Sequence, residues 1–331
     1  MNLPINQTIC SDALEAIGFY TLTDKRARET SLISPLWRCE LLLTSKCNFH
    51  CPYCRGTQSD ADISLDYAKH IIDLWAADNL QNVRFSGGEP TCVDWLPELI
   101  SYTKQKGISR IAISTNGSKA TEYYVDLYNR GVNDFSISLD ACCSAFGDIM
   151  SGVRGAWGQV VENIRALSRL TYVTTGCVFD ERNIEQSLET VMLAHNLGVA
   201  DIRIITAAQF DKAMAFAKNI PSLILAEHPI LKYRVNNFIN GKSVRGIKAQ
   251  DNHHCPLVLD DMAIRGRHHY PCIIYMREGG APIGKVSGDM REERGKWYQD
   301  HDCFNDNICR ENCLDVCIDY NNKAKARNTR R

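Results

Sequence analysis

The chain has 331 residues and a formal net charge of −1, enough for one large core or two modest ones, with no global field drawing it to nucleic acid or an anionic membrane. No apolar run reaches membrane-spanning length, and residues 1–28 lack the charged-then-apolar layout of a signal peptide, so a cytoplasmic location and no membrane partner are expected. Fifteen cysteines in a long chain without an export signal point to a reducing compartment and to metal rather than to disulfides.

Residues 1–35 read as a short helical preface around Asp12-Ala13-Leu14-Glu15-Ala16-Ile17, followed by a polar linker, too little chain for a separate recognition domain. Strands and helices then alternate. Strands are expected at Trp37–Leu43, Asn82–Ser86, Arg110–Ser114, Asp134–Leu139, Tyr172–Val178 and Asp201–Ile205. Helices are expected at Leu65–Ala77, Trp95–Lys104, Glu122–Asn129, Val160–Leu170 and Ile184–Leu197. The strands are short apolar runs, as in a parallel sheet covered by helices. Six such units with right-handed crossovers make an α/β chain with a partial (β/α)6 barrel over 36–218. Pro221, Pro229 and Gly241 break the pattern in 219–252, a helical connector, and a small cysteine-rich domain follows at 253–320. The polar, basic residues 321–331 are expected to be a solvated, disordered tail.

Directly after the first strand, Cys47, Cys51 and Cys54 stand at C-x3-C-x2-C spacing. Iron–sulfur clusters are held by cysteine thiolates, and a cubane normally takes four, so three would leave one iron open to a further ligand. A zinc knuckle using His50, or three unrelated buried thiols, are the alternatives on spacing alone. In barrels of this kind the chemistry sits at the C-terminal ends of the strands. Gly87-Gly88-Glu89-Pro90 ends the second strand, Ser114-Thr115-Asn116-Gly117 the third and Ser138-Leu139-Asp140 the fourth, so all fall on one rim. Singly, Asn116-Gly117 is also an ordinary turn and Asp140 a helix cap. Arg203 alternates with Ile202 and Ile204; it points either into the barrel, toward a carboxylate, or outward to a helix. Cys10 and Cys39 read as small buried residues, and so do Cys142 and Cys143, although Cys143 at the rim is also a candidate hydrogen-atom donor.

The three-cysteine loop, with Tyr53 before its third cysteine and Gly87-Gly88-Glu89-Pro90 after the next strand, resembles the radical SAM superfamily over roughly residues 37–206. The resemblance implies a 4Fe–4S cluster on Cys47, Cys51 and Cys54 whose open iron is chelated by S-adenosylmethionine (SAM). Reductive cleavage of SAM then gives a 5′-deoxyadenosyl radical that abstracts hydrogen from a C–H bond, with the cofactor carrying the chemistry. It further implies a low-potential electron donor of flavodoxin or ferredoxin type. Gly87 and Gly88 would approach the methionine amino group, and Glu89 would hold that ammonium or fix the loop. Ser114, Asn116, Ser138 and Asp140 would bond the ribose hydroxyls or the carboxylate. Arg154-Gly155 lies close to where family members carry a SAM-binding Arg-Gly pair, but too near the following helix for Arg154 to be assigned.

The C-terminal cysteines Cys255, Cys272, Cys303, Cys309, Cys313 and Cys317 are too dense for core packing, and a zinc ribbon would need C-x2-C pairs. They resemble the SPASM or Twitch extensions that bind auxiliary iron–sulfur clusters. The gap from Gly266 to Cys272 is one residue too long, however, and Asp300 stands where a cysteine is expected. One cluster on Cys255, Cys272 and two of Cys309, Cys313 and Cys317 is the expectation; two incomplete clusters are the alternative, and Asp300, His301 or Asp302 could complete a ligand set. Segments 131–143 and 313–322 are similar to a radical SAM group found in phages as well as bacteria. This favours a decorated nucleobase or nucleotide as substrate, as in isomerisation of an amino-acyl thymidine during DNA hypermodification, in the host cytoplasm if phage-encoded. A peptide or protein maturase and a non-catalytic iron–sulfur electron carrier are the competing classes.

Overall fold

The computed structural model describes residues 24–56, 62–206 and 211–328. The preface around Asp12–Ile17 and Cys10 lie outside the described residues. Six parallel strands run in chain order: β1 (Arg38–Leu42), β2 (Asn82–Ser86), β3 (Arg110–Thr115), β4 (Asp134–Ser138), β5 (Tyr172–Phe179) and β6 (Asp201–Thr206). The expected partial barrel is therefore present, with strand boundaries within a residue of the sequence reading and helix boundaries up to four residues from it.

The strands are not uniformly apolar. The register puts Cys39, Val83, Ile111, Phe135, Val173 and Ile202 on one face, where the helices cover them. The other face carries Glu40, Arg84, Ser114, Asp134, Ser136 and Arg203. This period-two alternation is what a strand shows when one face meets a core and the other a polar interior. The covering helices follow from their own patterns. In α2 (Leu65–Ala77), Ala68, Ile71, Ile72 and Trp75 form the buried stripe, and the Ser64 hydroxyl caps the start by accepting from Tyr67 N–H at 3.2 Å.

Three elements depart from expectation. A helix, α5 (Ser144–Ser151), follows β4 before the helix Ala156–Ser168; it is short, with Gly147 inside it where Trp157 packs so closely that a Cβ would overlap the indole. The cysteine-rich region contributes to the main sheet as well as forming its own cluster. β7 (Asp261–Arg265) pairs parallel with β1, and β8 (His268–Tyr270) and β9 (Gly284–Lys285) continue antiparallel, giving one nine-stranded sheet in the order 6-5-4-3-2-1-7-8-9. Finally, the expected disordered tail is helical to Asn328: Tyr320, Asn321 and Ala324 of the last helix (Asp315–Asn328) are buried. The Tyr320 hydroxyl donates to Asp260 Oδ2 at 2.9 Å, so specific contacts override the polar composition.

Candidate functional site

The three-cysteine loop leaves β1 at the C-terminal edge of the sheet and is fastened on every side. Gly88 N–H donates to Thr44 C=O and Glu89 N–H to Lys46 C=O, both at 2.8 Å, so the Gly-Gly-Glu turn continues the β1–β2 ladder into the loop. A Cβ on Gly87 would overlap the Thr44 carbonyl and one on Gly88 the Lys46 carbonyl, and Gly87 has φ +145°. Glycine is therefore needed here for one loop to lie on the other. Asp62 Oδ1 accepts from Thr44 Oγ1 and Ser45 N–H, both at 2.7 Å, and this N–H holds the Asp62 carboxyl below the ordinary range. His50 N–H donates to Ser151 C=O at 2.8 Å, seating the loop on the end of α5.

Glu89 is fully buried and spent on the protein. It accepts from Thr91 N–H at 3.1 Å, Thr115 Oγ1 at 2.7 Å and Asn116 N–H at 2.6 Å. Burial raises its carboxyl above the usual carboxylate value and these donors oppose the rise. Of the two roles open to Glu89, the structure shows the one that fixes the loop. Asn116 then reaches the cysteines: its Nδ2 donates to Asn48 Oδ1 at 2.8 Å and lies 3.9 Å from Cys47 Sγ.

Asp140 closes the other side. Half-buried, it accepts from the Tyr53 hydroxyl and from Val178 N–H at 2.7 Å, and desolvation pushes its carboxyl up to about 6. Burial likewise pushes the Cys51 thiol up to about 11, eased by a hydrogen bond from Tyr53, and raises Cys47. Cys51, Tyr53, Asn116, Ser138 and Asp140 line an open cleft whose apolar wall is Phe49, Met150 and Trp157. Ser114 lies deeper, accepting from Arg84 at 3.1 Å. Cys143 precedes α5 and, with Cys142, stands apart from the cleft's described lining.

The donor chemistry fits an iron–sulfur cluster better than the alternatives. Cys47 and Cys54 are exposed and Cys51 half-buried, so these are not packing thiols. The His50 side chain is exposed, and among the described residues neither it nor the three thiols draw together within 4.8 Å as the ligands of a single ion would. Three thiols remain, without histidine or carboxylate in the set.

Arg203 points inward: its guanidinium donates to the Ser136 hydroxyl, and burial lowers its pKa to about 10. Arg84 meets Asp134 at 3.2 Å, and Arg110 lies 3.7 Å from the same carboxylate, so three guanidiniums share the neighbourhood of one acid. Residue type alone did not reveal this polar interior, nor Asp62 and the Tyr53–Asp140 pair.

The C-terminal cysteines converge. Cys255 and Cys303, Cys303 and Cys309, and Cys313 and Cys317 are in hydrogen-bond contact, and Cys272 faces Cys255, Cys317 and Cys309. Burial raises the Cys272 thiol. The six cysteines thus lie in one neighbourhood, and Cys303 and Cys309 gather with His301, their ligand atoms within 4.8 Å of one another. Asp302 turns away to its own loop, accepting from Phe304 N–H at 2.8 Å, and Asp300 is exposed.

Residues 41–194 match the model of the radical SAM superfamily. An AdoMet-dependent heme synthase of Methanosarcina barkeri is 30% identical over 162 residues, 47% of this chain and 46% of the relative. A GTP 3′,8-cyclase of Xanthomonas axonopodis is 28% identical over 180 residues, 51% of this chain and 54% of the relative. The chain thus spans about half the length of these curated relatives. In solved structures, Streptococcus suis SuiB bound to its precursor peptide SuiA superposes with TM-score 0.58 at 14% identity, covering 91% of this chain and 72% of SuiB. The anSMEcpe structure with bound AdoMet gives TM-score 0.57 at 14% identity, covering 82% of each chain. No helix among the described residues is long and apolar enough to cross a membrane. With the three-cysteine loop, the Gly-Gly-Glu-Pro turn and the parallel barrel all in place, residues 41–194 form a radical SAM domain, a type of domain that uses a 4Fe–4S cluster and AdoMet.

Proposed function

We propose that the chain is a radical SAM enzyme that draws hydrogen from a C–H bond of an anionic nucleotide or decorated nucleobase. The observation that carries the first half is the rim itself. Cys47, Cys51 and Cys54 stand beside a cleft, on a loop that Gly87, Gly88, Glu89 and Asn116 hold from one side and Asp140 and Ser151 from the other. The cluster with SAM bound supplies the electron and the hydrogen-abstracting group; the protein binds, orients and excludes water. Glu89 keeps the turn rigid with its buried carboxylate. The cleft offers Ser138 and the Asn116 amide as polar contacts, and Phe49, Met150 and Trp157 as a surface for an adenine or a substrate ring.

The substrate half rests on charge. Arg84, Arg110 and Arg203 stand on the inner face with Asp134 and Glu40, and guanidiniums there suit a phosphate or carboxylate on the substrate. Among the curated relatives, the GTP 3′,8-cyclases are named for a nucleotide. Within this class, isomerisation of an amino-acyl thymidine in DNA hypermodification is the specific reaction we favour. The six C-terminal thiols would hold at least one auxiliary iron–sulfur cluster, and a flavodoxin- or ferredoxin-type donor would deliver the electron.

The test is isotopic. Anaerobically reconstituted protein with reductant and SAM is offered base- or sugar-deuterated nucleotides and modified DNA, and separately deuterated peptides. Deuterium in 5′-deoxyadenosine from the nucleotide or DNA series alone supports the reading. Deuterium from peptides alone replaces it with a peptide maturase, and a protein that forms no 5′-deoxyadenosine is an electron carrier.

A further inference from the structure

A cubane takes four protein ligands, yet the C-terminal centre gathers six thiols and one imidazole. The imidazole is His301. The Met290–Asp300 helix ends one residue before it, and His301 N–H still donates to Trp297 C=O at 2.9 Å. The ring stacks on Trp297 with centroids 4.0 Å apart and planes at 18°, and Tyr275 meets it edge-on at 6.1 Å. These contacts aim Nε2 at the thiols, 4.0 Å from Cys309 Sγ. The ligand atoms of His301, Cys303 and Cys309 all lie within 4.8 Å of one another, the one such histidine–thiol group among the described residues.

The surroundings hold this arrangement in place. Asp306 Oδ1 accepts Cys309 N–H at 2.8 Å, and its Oδ2 accepts the Tyr275 hydroxyl at 3.0 Å and lies 3.6 Å from His301 Nε2. Cys303 N–H donates to His253 C=O at 2.7 Å, tying the His301 turn to the segment that carries Cys255. Of the neighbouring acids, Asp300 is exposed and Asp302 caps its own loop, while the Asp306 carboxylate beside Nε2 is engaged by Cys309 N–H and the Tyr275 hydroxyl.

We propose that His301 is a ligand of the auxiliary iron–sulfur centre, beside Cys303 and Cys309. This rests on the reading that the C-terminal thiols hold such a cluster. A neutral imidazole in place of a thiolate removes negative charge from the cluster and raises its reduction potential, as histidine ligation does in other iron–sulfur proteins. The surplus thiols then serve as partners that orient the ligands.

The experiment uses the full chain carrying Cys47→Ala, Cys51→Ala and Cys54→Ala, so that any iron–sulfur cluster retained belongs to the C-terminal centre. Iron, sulfide and zinc are counted. The cluster is then reduced and examined by pulsed EPR after growth with ¹⁵N-histidine, with and without His301→Cys or His301→Ala. The expected result is bound iron and sulfide, a strong ¹⁵N coupling in the parent, its loss in both His301 variants, and a lower midpoint potential in the cysteine variant. Iron and sulfide without any histidine coupling, or a coupling that survives His301→Cys, overturns the ligand assignment alone. Zinc, or no metal, overturns the auxiliary cluster and the assignment together.

Discussion

Single residues at the rim act mostly on one another. Gly88 is the clearest case, because its Cα lies against the Lys46 carbonyl and leaves no room for a side chain. Gly88→Ala must push the cysteine loop away and strain two hydrogen bonds, Gly88 N–H to Thr44 and Glu89 N–H to Lys46. At about 1 kcal/mol each, their loss costs roughly 2 kcal/mol of stability, which a folded barrel survives. The expected outcome is a modestly lower melting temperature and at least a halving of the iron retained at the N-terminal site. Full iron occupancy in this variant would show that loop contact does not shape the site. The glycines and cysteines announced themselves in the sequence because few residue types can do their work. Asp62 did not, since an aspartate at a loop has many ordinary uses, and although Tyr53 and Asp140 each stood out in the sequence, only the fold brings one to the other.

At the scale of elements, the barrel was legible and its closure was not. Alternating strands and helices follow from local periodicity, and α2 and β2 fall where the pattern places them. β7 is five residues long among cysteines and prolines, and its pattern of Asp261 and Arg265 around Met262 and Ile264 has meaning only beside β1. Long-range pairing of this kind leaves no local trace. What secures it is a buried cluster: Arg26 from the helix Asp24–Glu29 pairs with Asp260 just before β7, Tyr320 from the last helix donates to the same carboxylate, and Asp260 C=O accepts from Trp37 and Arg38 N–H at the start of β1. Removing one partner of a buried pair strands the other, at about 3–5 kcal/mol. Arg26→Ala should therefore lower the denaturant midpoint sharply, and adding Asp260→Asn should restore part of the loss. A midpoint unchanged by Arg26→Ala would mean that the N-terminal helix contributes nothing to seating β7.

Over the whole molecule, among the described residues, three desolvated carboxyls give one component of the response to pH, and buried His269, lowered to about 4, gives a component of opposite sign. Burial pushes Asp201 up to about 7, although it accepts from Ile202 and Ile230 N–H at 2.8 Å, and pushes Asp140 and Asp260 up to about 6. An aspartate in the unfolded chain titrates near about 3.9, so between roughly pH 4 and 7 the folded protein holds protons that the unfolded chain has released. The stabilisation is complete below the unfolded value and is lost as pH rises through the folded one. Asp201→Asn should flatten, but not abolish, the fall in melting temperature between pH 5 and 8, and an identical slope would contradict the assignment.

The central claim is that the three-cysteine loop presents a cluster with a place for SAM. Anaerobic reconstitution of the parent and of Cys51→Ala, followed by reduction with SAM and quantification of 5′-deoxyadenosine, tests it directly. The parent should form 5′-deoxyadenosine and Cys51→Ala should form none. Equal yields from the two, or a reconstituted parent that holds only zinc, would contradict the account.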